Sequence, residues 1–458
     1  MVDMIIVAGY LLSILVLGLW GGRIHKGLAD YATAGREFGA LVIFATMSAS
    51  FIGGGYSTGN AEKVFVYGVA NIVALWGFSC KELLVATFIA PKMSKFPNAV
   101  SVGDIMSTTY GKVARLITGI SGLMLCCGII GAQVGAIGVV FNVFFGMDRL
   151  LGIAVGCSIV IVYTTLGGMR AVIYTDVAQF IILAIGMPLA LIFGIYQIGG
   201  VEALYNAVPP DRWTLPGPAF DWLGLVALVL VFMFGETLVP PYMQRLLAGK
   251  TATAAARGTL YAGLFSFAFF AVTGAIGLVA LALAPDLDPN KAMPYVIMTV
   301  LPPVLKGFVF SGVIAIIMST ADSYLNSASI TFVKDILLPL RSKPLQEETL
   351  LFLAKIATLV VGVLSILFAI SIESILDILI YAYNYWAPII LVPLVNAIYG
   401  LRKGTLPFLA GATAGGLTTL VWQSFLSSPG DISGLVLGVL MNLLVFCLFP
   451  KSKIWLES

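Results

Sequence analysis

Residues 41–60, Leu-Val-Ile-Phe-Ala-Thr-Met-Ser-Ala-Ser-Phe-Ile-Gly-Gly-Gly-Tyr-Ser-Thr-Gly-Asn, are apolar enough to cross a bilayer but carry three consecutive glycines near their middle. Glycine weakens a helix, and nearby hydroxyls compete for its backbone hydrogen bonds. A helix that breaks inside a membrane frees polar backbone groups, which are tolerated only where protein buries them or where they line a cavity. The stretch predicts either a broken span beside a polar site or a straight helix whose small residues serve packing.

The composition indicates that the whole chain lies in a membrane. Its 458 residues are 60% hydrophobic and only 10% charged, and the mean hydropathy is +1.03. So few polar residues cannot cover a water-facing surface. Apolar segments long enough for a core roughly 30 Å thick recur without the alternation of a β-barrel, so we expect an all-α protein. The expected thirteen spans are at about 4–22, 40–60, 65–90, 113–144, 149–164, 172–198, 221–245, 257–284, 303–333, 349–371, 374–400, 405–425 and 432–449.

The basic residues predict the orientation of the chain. Nineteen of the 25 Lys and Arg residues, Arg245 among them, fall on one side of the alternating spans, five fall on the other, and Lys81 lies inside a span. Basic loops favour the cytoplasmic face. We therefore expect an extracellular N-terminus and a cytoplasmic C-terminus in the plasma or inner cell membrane.

Several features weigh against an enzyme. The five cysteines lie in predicted spans without metal-type spacing, His25 is the single histidine, and no connection is long enough for a soluble catalytic domain. No metal cluster and no nucleophile with a base are evident. A net charge of +3 gives no reason to expect nucleic acid. We expect a small solute, an ion and the lipid bilayer as partners, and no obligate protein partner is evident.

A second interrupted span follows at 221–245, where Gly235, Glu236, Pro240 and Pro241 stand in its middle. Adjacent prolines remove two backbone donors and clash with the preceding turn. The first and second interruptions are five spans apart, which divides one transporter domain, 1–458, into repeats of about 40–198 and 221–400. Matching interruptions are typical of inverted-repeat transporters. A kinked structural helix is the alternative.

The ninth span carries a polar cluster. Residues 314–329 include Ser319, Thr320, Asp322, Ser323 and Asn326, which helical spacing gathers over two turns. A carboxylate in hydrocarbon is costly and is expected to face an interior partner. Oxygen ligands without histidine or thiolate suit a small alkali cation, whereas the alternative is hydrogen bonding between helices.

The stretch 164–179 is the most specific in the chain. Thr-Thr-Leu-Gly-Gly-Met-Arg-Ala-Val-Ile-Tyr-Thr-Asp-Val-Ala-Gln joins a glycine turn and Arg170 to a helix holding Asp176 and Gln179. It resembles the hallmark of the sodium:solute symporter family, and Met-Ser-Thr-Ala-Asp-Ser at 318–323 and Gly-Gly-Gly-Tyr at 53–56 agree with it. The patterns are most similar to choline- and proline-type members, yet Phe51 and Val239 replace the tryptophans expected of a choline cage.

The resemblance implies a fold like that of the bacterial leucine transporter, a five-plus-five inverted repeat with one helix before it and two after. It also implies co-transported sodium. The main sodium site would use carbonyls near Phe44 and Met47, or one residue later at Ala45 and Ser48. The remaining ligands that it implies there are the Ile316 carbonyl and the hydroxyls of Ser319 and Thr320. A second sodium, where present, would use Asp176, Ser319, Asp322 and Ser323.

Intramembrane charges indicate the solute. Lys81 and Glu236 would offer opposite poles to an amino acid or similar zwitterion, although an ion pair between helices, or a Lys81 side chain that reaches toward the cytoplasm, explains the charges equally well. The further candidates for the solute pocket are Ser48, Ser50, Phe51, Tyr56, Trp76, Gln133, Tyr242, Asn384 and Trp386.

These observations predict a secondary active transporter that uses sodium to import a small polar organic solute by alternating access. A proton-coupled transporter of the same fold, titrating Asp176, Asp322, Glu236 or Lys81, is one alternative. A membrane sensor that binds solute without net transport is the other.

Overall fold

The computed structural model describes residues 2–22, 27–370, 382–426, 428–429 and 432–450. Over these residues the chain is helical, with one isolated backbone bridge between Phe38 and Gly249. His25 and the first part of the span predicted at 374–400 lie outside the described residues.

The helices are numbered in chain order. They are α1 (Val2–Gly21), α2 (Leu28–Thr33), α3 (Ala40–Phe51), α4 (Gly54–Tyr67), α5 (Ala70–Leu84), α6 (Val102–Phe145), α7 (Arg149–Ile198), α8 (Val201–Ala207), α9 (Trp222–Phe234), α10 (Pro240–Ala248), α11 (Ala252–Leu283), α12 (Ala292–Val300), α13 (Leu305–Thr331), α14 (Glu347–Ile370), α15 (Val392–Tyr399), α16 (Thr405–Leu420) and α17 (Gly434–Cys447). Wider or tighter turns extend four of them, at Val85–Ile89 and Ala90–Lys95 after α5, Phe332–Leu337 after α13, Ala387–Leu391 before α15 and Val421–Phe425 after α16.

Within the described ranges, seven helices are long and apolar enough to cross a membrane, or eight if the bent pair α3 and α4 counts as one span. The predicted spans 149–164 and 172–198 both fall in α7, which turns at Gly168 with a positive φ of 52°. A side chain there would meet the ring of Tyr31 at 2.4 Å, so the fold requires glycine in this turn. The multi-span prediction is confirmed, while the number thirteen stays a prediction.

The first predicted break is present and lies at the glycines, where the sequence predicts it. Helix α3 continues unbroken to Phe51, the chain passes through Ile52 and Gly53, and α4 leaves at an angle of 51°. The segment around Met47 is therefore regular helix, and the freed backbone groups belong to the last turn of α3.

The second predicted break separates α9 from α10. The chain leaves the helix after Phe234, and Leu238 adopts a positive φ of 54°. Pro240 and Pro241 then occupy the first turn of α10, where a missing N–H costs nothing. The prolines thus start a new helix, which leaves Glu236 on irregular backbone between two half-helices.

Helix α13 forms the centre of the bundle. Every residue from 309 to 331 is buried, and the helix packs against α3, α4, α6, α7 and α10. Its polar side chains consequently face protein rather than lipid, which is where the energetic cost of a polar group in a membrane can be offset.

Contacts between connections group them at two ends of the bundle. At one end, Oδ1 of Asp3 accepts from Val304 N–H at 2.8 Å and from Gly307 N–H at 3.1 Å. At the other, Glu347 Oε2 accepts from the N–H of Leu28 at 3.1 Å. This grouping agrees with the alternation expected for the predicted spans.

Candidate ion and solute site

The end of α3 and the middle of α13 bring five oxygen atoms together. Ser319 Oγ donates to the Ala49 carbonyl at 2.8 Å, and Thr320 Oγ1 donates to the Ser50 carbonyl at 2.9 Å. The Ile316 carbonyl lies 3.1 and 3.2 Å from the same two hydroxyls. Hydroxyls that turn their protons away present lone pairs, so this set of carbonyl and hydroxyl oxygens can ligate a small hard cation.

The predicted carbonyls near Phe44 and Met47 are not those that meet α13. Both residues lie inside α3, where carbonyls are used by the helix, whereas the last four carbonyls of a helix lack such partners. The Phe44 ring packs against the rings of Phe180 and Phe265 at 4.8 and 5.8 Å. Ala45 also lies inside α3, and the Ser48 carbonyl accepts from the Ile52 N–H at 3.2 Å. The carbonyls that accept from Ser319 and Thr320 are those of Ala49 and Ser50, and the ligands implied at Phe44 and Met47, or at Ala45 and Ser48, stay a prediction.

Gly53 makes this close approach possible. A Cβ at this position would lie 2.3 Å from Thr320 Oγ1 and 3.0 Å from Thr320 Cβ. The broken segment therefore packs directly on the hydroxyl of α13, and a larger residue would push the two apart.

A buried cation stands beside these oxygens. The Arg245 guanidinium lies 2.8 Å from Asp176 Oδ2 and donates to Thr46 Oγ1 at 2.9 Å, to Ser50 Oγ at 2.5 Å and also to Ser323 Oγ. Arg245 and Asp176 are both fully buried. The assignment of Arg245 to a cytoplasmic connection is therefore wrong, because α10 carries the residue inward to the end of α3.

The residues predicted for a second sodium also come together. Asp322 Oδ2 accepts from Tyr163 at 2.5 Å and from Thr175 at 3.4 Å, and Asp322 Oδ1 accepts from Ser323 at 3.1 Å. The hydroxyl of Ser323 thus connects Asp322 to Arg245 and, through it, to Asp176. Among the residues predicted for a second sodium, Asp176 and Ser323 therefore already bind a positive charge of the protein, the Arg245 guanidinium.

Lys81 is paired with its sequence neighbour. Its ammonium lies 2.7 Å from Glu82 Oε1 and 3.6 Å from the centre of the Phe78 ring, and it donates to the backbone carbonyl of Glu236 at 3.3 Å. Tyr242 donates to the other oxygen of Glu82 at 2.6 Å. Lys81 is therefore held in place by structural contacts with Glu82 and with the backbone of Glu236, and its predicted role as one pole of a zwitterion site stays a prediction.

Glu236 lines a small cavity beside the oxygen cluster. Its Oε1 accepts from Tyr324, and its Oε2 has no hydrogen-bond partner in the described structure. The cavity measures about 10 Å³, roughly the space of one water. It is lined by Ser50, Gly53, Gly55, Tyr56, Ile129, Gln133, Glu236, Thr320 and Tyr383. Thus four of the predicted solute residues, Ser50, Tyr56, Gln133 and Glu236, meet here next to Thr320.

Tyr56 and Tyr383 separate this cavity from a larger one. Their hydroxyls are 2.8 Å apart, and both residues also line an outer pocket of about 260 Å³ together with Asn60, Lys63 and Phe232. The hydroxyl pair thus lies between the two spaces.

Four other predicted solute residues lie near the cavity but do not line it. Phe51 and Tyr242, with ring centres 5.0 Å apart, pack around Lys81, and Trp386 donates to the Thr237 carbonyl at 2.9 Å beside the second break. Ser48 is buried in α3 but does not line the cavity.

Trp76 and Asn384 lie elsewhere. Trp76 is 37% exposed and packs on Phe267 at 5.8 Å between ring centres, so its place is at the bundle surface. Asn384 donates to Gln423 at 2.7 Å, toward the last helices. Neither residue lines the small cavity or the outer pocket, and their assignment to a solute pocket stays a prediction.

Sequence reasoning missed Ala49, Arg245, Tyr324 and Tyr383 as members of the site. Two of them left a signal. Arg245 follows the double proline by a few residues, on the face of α10 that the break turns inward, and Ala49 lies within one turn of the glycine run. Tyr324 is adjacent to the recognised polar cluster, whereas nothing in the sequence singles out Tyr383.

Comparison with known proteins shows the family to which the chain is related. The model of the Sodium:solute symporter family matches residues 31–418. The high-affinity choline transporter 1 of Drosophila melanogaster is 28% identical over 402 residues, which cover 83% of this chain and 63% of that protein. The high-affinity proline transporter PutP of Bacillus subtilis is 24% identical over 441 residues, 90% of each chain. The matched family and these relatives are transporters.

A solved structure shows the same fold. A Na⁺-coupled sialic acid symporter in a substrate-bound outward-open state superimposes with a TM-score of 0.85 at 20% identity, covering 99% of both chains. The nucleobase-cation-symport-1 transporter Mhp1 follows with a TM-score of 0.63 at 13% identity. The predicted leucine-transporter-like architecture is confirmed at the level of the fold.

Proposed function

The chain belongs to the sodium:solute symporter family, and on that premise we propose that it couples sodium entry to the import of a small polar organic solute. It is a multi-pass membrane protein. The observation that carries the proposal is the convergence of Ser319 and Thr320 with the freed Ala49 and Ser50 carbonyls, directly beside the cavity at Glu236.

Sodium is proposed to bind where α3 ends against α13. The ligands would be the carbonyls of Ala49, Ser50 and Ile316 and the hydroxyls of Ser319 and Thr320. Oxygen atoms that now share hydroxyl protons would instead share a cation, which binds several oxygens at once. Ion binding would hold the two helices together.

The second predicted ion position is proposed in an altered form. Arg245 neutralises Asp176, so Asp322 is the carboxylate whose charge remains to attract a second cation. Any second ion would be ligated by Asp322 with Ser319 and Ser323, close to a fixed guanidinium that opposes its binding.

Coupling is proposed to follow from shared residues. Ser50 and Thr320 contribute to the proposed ion site and also line the solute cavity, so ordering them for one ligand favours the other. Alternating access would result from the bundle that contains the two broken helices rocking against the remaining spans. The N-terminus is proposed to be extracellular and the C-terminus cytoplasmic.

A screen on the purified protein tests this function. Thermal shifts are measured with amino acids, monocarboxylates, amines and sugars in sodium or in potassium, and the best solute is then followed into proteoliposomes at fixed pH. We expect solute stabilisation and uptake that both require sodium. Uptake driven by a proton gradient in potassium would instead support the proton-coupled alternative, and binding without uptake would support a sensor.

A further inference from the structure

The charges around the solute cavity do not balance. Lys81, Glu82 and Glu236 are each 2% exposed, and together they carry one more negative than positive charge. The Lys81 ammonium is 2.7 Å from Glu82, so that pair is internally compensated. The neighbouring guanidinium of Arg245 is committed to Asp176 at 2.8 Å. Among the described residues, no Lys or Arg side chain forms a direct ion pair with the Glu236 carboxylate, and the nearest ammonium, that of Lys81, contacts only the backbone carbonyl of Glu236.

One oxygen of Glu236 is open on the cavity side. Tyr324 donates to Oε1, whereas Oε2 has no donor in the described part of the chain although the side chain is buried. An ionised oxygen in such a place is costly unless a donor completes it. Tyr56 and Tyr383 already share a hydrogen bond with each other at 2.8 Å across the cavity mouth. A molecule that enters the cavity can supply the donor that Oε2 lacks.

We propose that the transported solute is an organic cation with at least one N–H on its charged nitrogen, and that this ammonium group binds Oε2 of Glu236. The inference rests on the proposed function, since it concerns the cargo of the same site. An organic cation is proposed in place of the zwitterion that the sequence predicted, because the Lys81 ammonium is paired with Glu82 and is not available to a solute carboxylate.

The open oxygen also distinguishes among cations. A quaternary ammonium would neutralise the charge but has no N–H to donate, so Oε2 would stay without a hydrogen bond. A protonated primary or secondary amine supplies both charge and donor, and charge-assisted hydrogen bonds are stronger than neutral ones. The cavity of about 10 Å³ is too small for an amine. Binding therefore requires Tyr56 and Tyr383 to move apart, so that the cavity and the outer pocket of about 260 Å³ become one space.

The test uses probes that differ in the charged group. Purified full-length protein is titrated in sodium and in potassium with ethanolamine, putrescine and phenethylamine as amines, choline as the quaternary relative of ethanolamine, glycine as zwitterion and glycolate as anion. Thermal stabilisation and sodium-driven uptake into proteoliposomes are measured. We expect at least one amine to stabilise the protein in sodium, at least tenfold more tightly than choline, glycine or glycolate.

Variants connect the selectivity to one carboxylate. Glu236→Gln is expected to weaken amine binding at least tenfold. Glu236→Asp is expected to weaken it less and to keep the same ranking of the amines. Glu202→Gln, which changes an exposed carboxylate on α8, is the control and is expected to leave amine binding unchanged. Stabilisation of Glu236→Gln by sodium alone shows that it is folded. The proposal would be overturned if none of the amines bound, or if glycine or glycolate bound more tightly than the amines. It would also be overturned if folded Glu236→Gln bound the amines as tightly as the parent protein does. A failure of the proposed function would look different, because sodium would then stabilise the parent protein and drive uptake no better than potassium does.

Discussion

The Arg245 guanidinium lies 2.8 Å from the Asp176 carboxylate, and neither side chain has any exposed surface. The same guanidinium also donates to Thr46, Ser50 and Ser323. One cation thereby joins α3, α7, α10 and α13, the helices around the proposed ion site. A buried pair of this kind costs much to break, because removing one partner leaves an uncompensated charge.

Asp176→Asn is expected to destabilise the protein strongly, by about 3–5 kcal/mol, since Arg245 would be left buried without its counter-charge. Asp176→Asn combined with Arg245→Gln should recover a large part of this loss. Thermal melting in detergent measures both. Asp211→Asn at the partly exposed pair with Arg212 is the control and should cost less than about 1 kcal/mol. Equal melting of Asp176→Asn and the parent would contradict the assigned role.

Ser319→Ala with Thr320→Ala is expected to abolish sodium-stimulated uptake, because it removes two of the five proposed ligand oxygens. Initial uptake rates over a range of sodium concentrations measure the effect. Ser329→Ala is the matched control, since that hydroxyl lies on the same helix but bonds only to the Asn326 carbonyl in the described structure. Unchanged sodium dependence in the double variant would remove the ion-site assignment.

Gly53→Ala is expected to lower the apparent affinity for sodium at least tenfold. The added Cβ would lie 2.3 Å from Thr320 Oγ1 and would force the broken helix away from α13. Gly59→Ala on α4 is the control, since its Cβ would meet nothing within 4 Å. Sodium-dependent thermal stabilisation of the purified variants measures the change, and wild-type affinity in Gly53→Ala would show that this contact does not shape the ion site.

Cysteine labelling is expected to place opposite loops on opposite faces. In a parent with Cys80 and Cys447 changed to serine, an impermeant maleimide should label Asp288→Cys in intact cells and label Lys343→Cys only after permeabilisation. Both positions are exposed on the protein. The reverse pattern would invert the proposed orientation, in which the basic loops face the cytoplasm.

The sequence predicted features that depend on local chemistry. Three glycines and a double proline indicated two broken helices, and hydroxyls around Asp322 indicated a buried polar seam on the ninth span. Each of these signals follows from residues within a few positions of one another. The predicted gathering of Ser50, Tyr56, Gln133 and Glu236 at one cavity also agrees with the structure.

Other features depend on how distant segments pack. Which carbonyls of α3 meet Ser319 and Thr320 depends on how the broken helix packs on α13, and in the structure they are those of Ala49 and Ser50 rather than those near Phe44 and Met47. Arg245 was assigned to a loop because the second half-helix that carries it inward is short. Lys81 pairs with Glu82 instead of Glu236 because side-chain direction within a break cannot be read from spacing.

The bridge between Phe38 and Gly249 ties the two broken helices at one end. Phe38 N–H donates to the Ala248 carbonyl at 3.3 Å, and Lys250 N–H donates to the Phe38 carbonyl at 2.9 Å. Phe38 directly precedes α3, and Ala248 ends α10. The two hydrogen bonds therefore couple a tilt of α3 to a tilt of α10, so these two half-helices move as one unit at this end. The other two half-helices, α4 and α9, lie beyond the breaks and can change their angle separately.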